Sequence, residues 1–136
     1  MLKRVIFLMS FVVLIAAVAC QAAPAELPEV TFVGTEFAYE GPESIAGGWT
    51  QVNFDNQGEL PHDLMLIRLL DGKTMDDIPA ILESEGAPPE WVDIVGSTTA
   101  EGGRSASFVS NLPAGNYAMM SFGASEDGPP DVMQGM

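Results

Sequence analysis

One histidine, one cysteine and eight methionines are the soft and borderline donors of this 136-residue chain, and their positions decide which chemistry is open to it. His62 stands alone, so a site built on paired imidazoles within one chain is excluded. Next to Asp63 it reads either as a strand-end imidazole satisfied by a carboxylate or backbone group, or as a metal ligand. An imidazole with thioether sulfur favours Cu(I). Met1 and Met9 fall in an apolar leader, and Met65, Met119 and Met120 fall in strand patterns, where methionine is ordinary core filler. Met133 and Met136 sit in a Gly- and Pro-rich ending, the kind of loop that more often carries function. As a general base, His62 needs a nucleophile. Ser121 serves only if the fold brings the two together, and no Gly-x-Ser-x-Gly turn surrounds that serine. The carboxylates Asp76, Asp77, Glu83 and Glu85 lie on a short helical segment, where a solvated face is their ordinary role. The chain is not expected to be an enzyme.

Cys20 is explained by what precedes it. Lys3 and Arg4 are followed by an apolar run from Val5 to Ala19, broken only by Ser10, and then by Cys20 after the small residue Ala19. That order is a secretory signal, too short for the roughly 20 residues of a spanning helix. Ala17-Val18-Ala19-Cys20 resembles the bacterial lipobox, with Ala17 where leucine is commonest. The resemblance implies cleavage before Cys20 and acylation of its sulfur. Residues 1–19 are therefore expected to be a signal peptide, and 20–29, QAAPAELPE after the cysteine, a tether from lipid to domain. The expected location is the extracytoplasmic face of the cell membrane, periplasmic or cell-surface. With one cysteine, no intrachain disulfide can form.

Loss of the leader removes two basic residues and no acidic one, which leaves three against nineteen and a net charge of −16. A nucleic-acid partner is excluded, because such binding needs a basic footprint that releases phosphate counterions. Anionic lipid surfaces repel the chain too, so membrane association rests on the lipid anchor. The acidity keeps an exposed domain soluble and favours cations or basic partners.

The elements that must position these side chains are mostly strands. Thr31–Val33 and Phe37–Tyr39 open the domain, which is expected to span residues 30–136. Thr50, Val52 and Phe54 alternate with Gln51 and Asn53 in a half-buried strand over Trp49–Phe54. After the Asp55-Asn56-Gln57-Gly58 turn, His62–Leu70 is almost wholly apolar, as in a strand buried on both faces. A helix starts with Thr74 or Asp77 as its cap, the latter placing Pro79 in the first turn, and ends by Gly86. A loop is expected from there to Gly102-Gly103. Arg104–Val109 and Asn116–Phe122 complete the strands around a Pro113-Ala114-Gly115 turn. Tyr117 beside that turn suits either a tyrosine corner or an ordinary core tyrosine. The sum is an antiparallel β-sandwich with one short helix.

In this order the features resemble the cupredoxins, the Greek-key sandwiches of plastocyanin and azurin. The resemblance covers Phe32 to Met136. It rests on Phe37 with Ile45-Ala46-Gly47-Gly48, on Asn53-Phe54-Asp55-Asn56-Gln57-Gly58 leading through Pro61 to His62, and on Leu112-Pro113-Ala114-Gly115-Asn116-Tyr117 and Gly135-Met136. It implies a copper ligand set of histidine, cysteine, histidine and methionine. His62 takes the first histidine position, Ser121 the cysteine, Asp131 the second histidine and Met136 the methionine. Two of four ligands are changed, and a serine hydroxyl is a poor substitute for the thiolate that defines a blue copper centre.

The metal candidates are thus His62, Asp131 and Met136. The family also continues past its methionine into a last strand, so an all-β sandwich with that strand missing, or a fragment, is expected. Two functions stand against each other. One is a membrane-anchored binding or structural module without blue copper, whose partner is a protein. The other is a copper carrier or electron-transfer protein using His62 and Met136.

Overall fold

The computed structural model describes residues 26–83, 87–123 and 131–134. Among the described residues seven strands form two sheets: β1 (Glu29–Thr35), β2 (Ala38–Glu40), β3 (Gly48–Asn56), β4 (His62–Leu69), β5 (Val92–Ala100), β6 (Arg104–Leu112) and β7 (Asn116–Met120). One sheet has the order β2-β1-β3-β6 and the other β5-β4-β7. The pairings are antiparallel except that of β1 with β3, which is parallel, a departure from the wholly antiparallel expectation.

Alternation builds the core. Val30 and Phe32 of β1, Val52 and Phe54 of β3, Leu64 and Leu66 of β4 and Leu112 of β6 interlock between the sheets, all but excluded from water. Each such side chain contributes about 1.5–3 kcal/mol. β4 is indeed buried on both faces. Its Ile67 and Leu69, with Ala118 and Met120 of β7, pack beneath Ile81 of the short helix α1 (Pro79–Glu83). Of the two sequence-read caps Thr74 is the one used, and Asp77 is the last residue of the turn it opens. Thr74 opens a 3₁₀ turn at Met75–Asp77, its N–H donating to Asp77 Oδ2 at 3.0 Å, and Pro79 begins α1.

Two expectations are corrected. The expected loop before Gly102 contains β5, nine residues paired along β4. Its Gly96 is no loop glycine. A Cβ there would lie 2.3 Å from the Phe108 ring, so packing against β6 demands a residue without a side chain. Beside it the register slips between Leu66 and Ile67, leaving Val95 as an extra residue in a bulge. Phe37, in turn, is not a strand residue. It takes a φ of 67° in the turn between β1 and β2.

Tyr117 forms the tyrosine corner, its phenol donating to the Pro113 carbonyl across the β6–β7 turn. The strand there ends at Met120, so Ser121 and Phe122 lie beyond it. Among the described residues no helix is long and apolar enough to cross a membrane. The signal segment, Cys20 and most of the tether, together with Met136, lie outside the described residues.

Candidate functional site

His62 is the first residue of β4, and the turn before it is held by two side chains, Glu36, which accepts from the Glu59 N–H, and Asn56. Asn56, at the end of β3 and fully buried, donates through Nδ2 to the carbonyls of Leu60 and Ala100, both at 2.8 Å. Its Oδ1 accepts from the Gly58 N–H at 3.0 Å. The Gly58 N–H and the Leu60 and Ala100 carbonyls are thereby satisfied, and His62 enters the sandwich opposite Ala100. The ring is wholly buried, with the Phe37 edge packed against it at 6.4 Å and 75°.

Ser121 and Asp131 come to this ring from the other side. Two main-chain bonds pin a 3₁₀ turn (Asp131–Gln134) to the end of β7: the Asp131 N–H donates to Gly123 O at 2.8 Å and the Val132 N–H to Ser121 O at 2.9 Å. They aim the Asp131 carboxylate inward, where it is 2% exposed. Its Oδ2 lies 2.7 Å from His62 Nδ1 and accepts from the Ser121 hydroxyl at 2.8 Å. A carboxylate oxygen only accepts, so Nδ1 carries the hydrogen. Ser121 Oγ in turn accepts from the Asp63 N–H at 3.2 Å. His62 Nε2 is buried and has no partner among the described residues.

A further layer surrounds this network. Tyr39 donates its phenol hydrogen to the Asp63 carbonyl and packs on Phe54 at 6.0 Å. Burial pushes the Tyr39 phenol well above its ordinary range, with the negative charges of Asp63 and Asp131 acting in the same direction and a hydrogen bond with Ser121 opposing them. The Asp63 carboxylate is engaged elsewhere, its Oδ1 accepting from Thr99 Oγ1 at 2.7 Å. His62 is therefore paired with a carboxylate, but not with its neighbour in sequence.

The fold thus brings together three of the four residues aligned on the copper ligands, His62, Ser121 and Asp131. Met136 lies outside the described residues, and of Met133 only the backbone is described. Met119 packs in the main core, and Met65 and Met120 in the cluster under α1. Among the described residues there is no group of three or more histidine, cysteine, aspartate or glutamate side chains able to hold a metal. Sequence reasoning missed Tyr39 and Asn56. Tyr39 meets a residue 24 positions away, and no local pattern marks that contact. Asn56 had a signal, since an Asn-x-Gly turn before a buried strand suits a side chain that caps its own turn.

No protein-family model matches the chain, and no curated protein does. Among solved structures, it is similar to the crystal structure of Na-dithionite reduced auracyanin from the photosynthetic bacterium Roseiflexus castenholzii. That match has a TM-score of 0.50 and 20% identity, and covers 68% of this chain and 82% of the other. At that identity the likeness speaks to the fold, a cupredoxin-like β-sandwich.

Proposed function

We propose that this protein is a membrane-anchored, extracytoplasmic cupredoxin-like module that binds a partner or serves structurally, without a blue copper centre. The observation that carries this reading is the Asp131 carboxylate oxygen shared by His62 and Ser121. A type 1 site needs two imidazoles and a thiolate pointing lone pairs at one metal ion. Here the thiolate position offers a hydroxyl whose hydrogen is given to Asp131, and the second imidazole position holds the carboxylate itself. His62 Nδ1, Ser121 Oγ and Asp131 Oδ2 satisfy one another and do not fit that metal. The only cysteine of the chain, Cys20, belongs to the lipobox-like segment, which supports the anchor.

A hydrolase is disfavoured by the same contacts. Ser121 donates to Asp131 rather than to the imidazole, accepts from Asp63, and is fully buried. Among the described residues no imidazole accepts its hydrogen, and it offers no exposed surface to a substrate.

The test is a titration of the full chain with Cu(II) and with Cu(I), followed by dialysis, metal analysis and visible absorption. Protein that retains no stoichiometric copper and stays colourless supports the proposal. Retention of one copper ion per chain, lost in His62→Ala, supports the copper-carrier reading instead. The anchor is tested separately. Cys20→Ser shifts the protein from the membrane to the soluble fraction, and an unchanged membrane fraction contradicts lipidation.

A further inference from the structure

β1, β3 and β6 turn one set of side chains into the core and the other outward, and the outward set is unusual for a chain with nineteen acidic residues. Its centre is β3, which presents Trp49, Gln51, Asn53 and Asp55 in a row. On β6 these four are in register with Asn111, Val109, Ser107 and Ser105, none of them charged. An ordinary solvated face mixes charges of both signs. Here the three strands contain a single base, Arg104, and it is in register with buried Asn56 at the end of the sheet.

The amides on this face are held in place. Gln51 Nε2 donates to Asn53 Oδ1 at 2.9 Å, and Asn53 Nδ2 donates to Glu29 Oε2 at 3.1 Å. Asp55 accepts from Gln57 Nε2 and from Ser105 Oγ, each at 2.9 Å. Capacity remains, since an amide nitrogen has a second hydrogen and a carboxylate further lone pairs. The Thr31 and Ser107 hydroxyls have no partner among the described residues. Both belong, with Asn53, Asp55 and Ser105, to the lining of a shallow groove of about 430 Å³. Trp49 lies four residues before Asn53 on the same strand, roughly 13 Å along the sheet at about 3.3 Å per residue. Its indole is 62% exposed, and Val109, diagonal to it on β6, is half exposed.

Charge chooses the occupant. The carboxylates of Glu29 and Asp55 repel an anion, and no outward base attracts one. Both carboxylates already accept from amides, so neither is a lone charge that calls for a cation. A second copy brings the same carboxylates against the face and is the poorer fit. A neutral saccharide meets every demand: its hydroxyls both donate and accept, and the C–H face of its ring stacks on the electron-rich face of an indole. The distance from Trp49 to the groove asks for several sugars in an extended chain.

We propose that the outward face of β1, β3 and β6 binds a neutral, extended glycan, one ring stacked on Trp49 and the hydroxyls of its neighbours bonded to Gln51, Asn53 and Asp55. The site is separate from the His62 network, so its failure leaves the copper and anchor readings standing.

The test uses the full chain in a sugar-free detergent and three neutral β-linked hexasaccharides, of glucose, xylose and N-acetylglucosamine, with a galacturonate hexasaccharide as anionic control. Binding is read by tryptophan fluorescence, and its place by amide proton–nitrogen NMR. The expected result is saturable binding of at least one neutral hexasaccharide, with shifts over residues 49–55 and 105–111 and an affinity indifferent to salt. The galacturonate chain does not bind. Trp49→Ala weakens binding about tenfold or more. Asn53→Ala weakens it about two- to tenfold. The inference is overturned if none of the three neutral hexasaccharides binds, or if the shifts fall elsewhere. It is also overturned if Trp49→Ala, folded as judged by an unchanged urea midpoint, binds as tightly as wild type. Shifts over the same strands that grow with protein concentration, without saccharide, assign the face to a second copy and overturn it as well.

Discussion

Replacing Asp131 separates a structural network from an idle metal ligand. Asp131→Ala removes the one acceptor shared by His62 Nδ1 and Ser121 Oγ, both in residues with no exposed surface. Each buried donor left unsatisfied costs about 1–3 kcal/mol. Set against that is the relief of no longer desolvating a carboxylate, which leaves a net loss of about 2–4 kcal/mol. Asp131→Asn behaves differently, because both bonds go to a single oxygen and an amide oxygen can occupy that point. It forfeits only the charge assistance and loses about 1 kcal/mol. The assay is urea unfolding of wild type and both variants, with the midpoint falling in the order wild type, Asn, Ala at constant slope. A cycle with His62→Ala should show coupling of about 1 kcal/mol or more. If the carboxylate merely waits for a metal, the metal-free protein gains from its removal. An Asp131→Ala variant as stable as wild type, or more so, rules out the structural role of the shared carboxylate.

Other outcomes follow from contacts elsewhere. Gly96→Ala drives a methyl into the Phe108 ring, 2.3 Å away, and should cost about 1–3 kcal/mol by thermal unfolding, less in a Phe108→Leu background. Tyr117→Phe deletes the bond to the Pro113 carbonyl and should cost about 1 kcal/mol in the same assay. The Tyr39 phenol is raised above the unfolded value of about 10, so its contribution is complete below that pH and lost as pH climbs towards the folded value. Stability should therefore fall above about pH 10, and Tyr39→Phe should flatten the fall. Tyr117, also raised by its burial, leaves a residual slope in that variant. An alkaline limb identical in wild type and Tyr39→Phe contradicts the buried phenol.

The sandwich was legible where local pattern and tertiary demand agree. Thr50, Val52 and Phe54 alternate because one face of β3 is core, and His62–Leu69 reads as continuously apolar because α1 covers its second face. Pattern failed at β5, where the glycine required by the Phe108 ring looks in sequence like a loop breaker. Phe37 was misread for the opposite reason. A bulky aromatic suits a strand, yet here it holds a left-handed turn with its ring against His62. The site itself was half legible. Positions 62, 121 and 131 could be named from the resemblance, but that one oxygen of Asp131 serves both of the others depends on contacts 69 and 10 residues apart. Nothing along the chain encodes that distance.

His62 Nδ1 carries a hydrogen held by Asp131, where a copper ligand would carry a metal. Proton–nitrogen NMR of the imidazole tests it most directly. One slowly exchanging Nδ1–H resonance is expected, absent in Asp131→Ala and unchanged when an equivalent of Cu(II) is added. Loss of that resonance on adding copper to the wild-type protein, with paramagnetic broadening centred on His62, would contradict it.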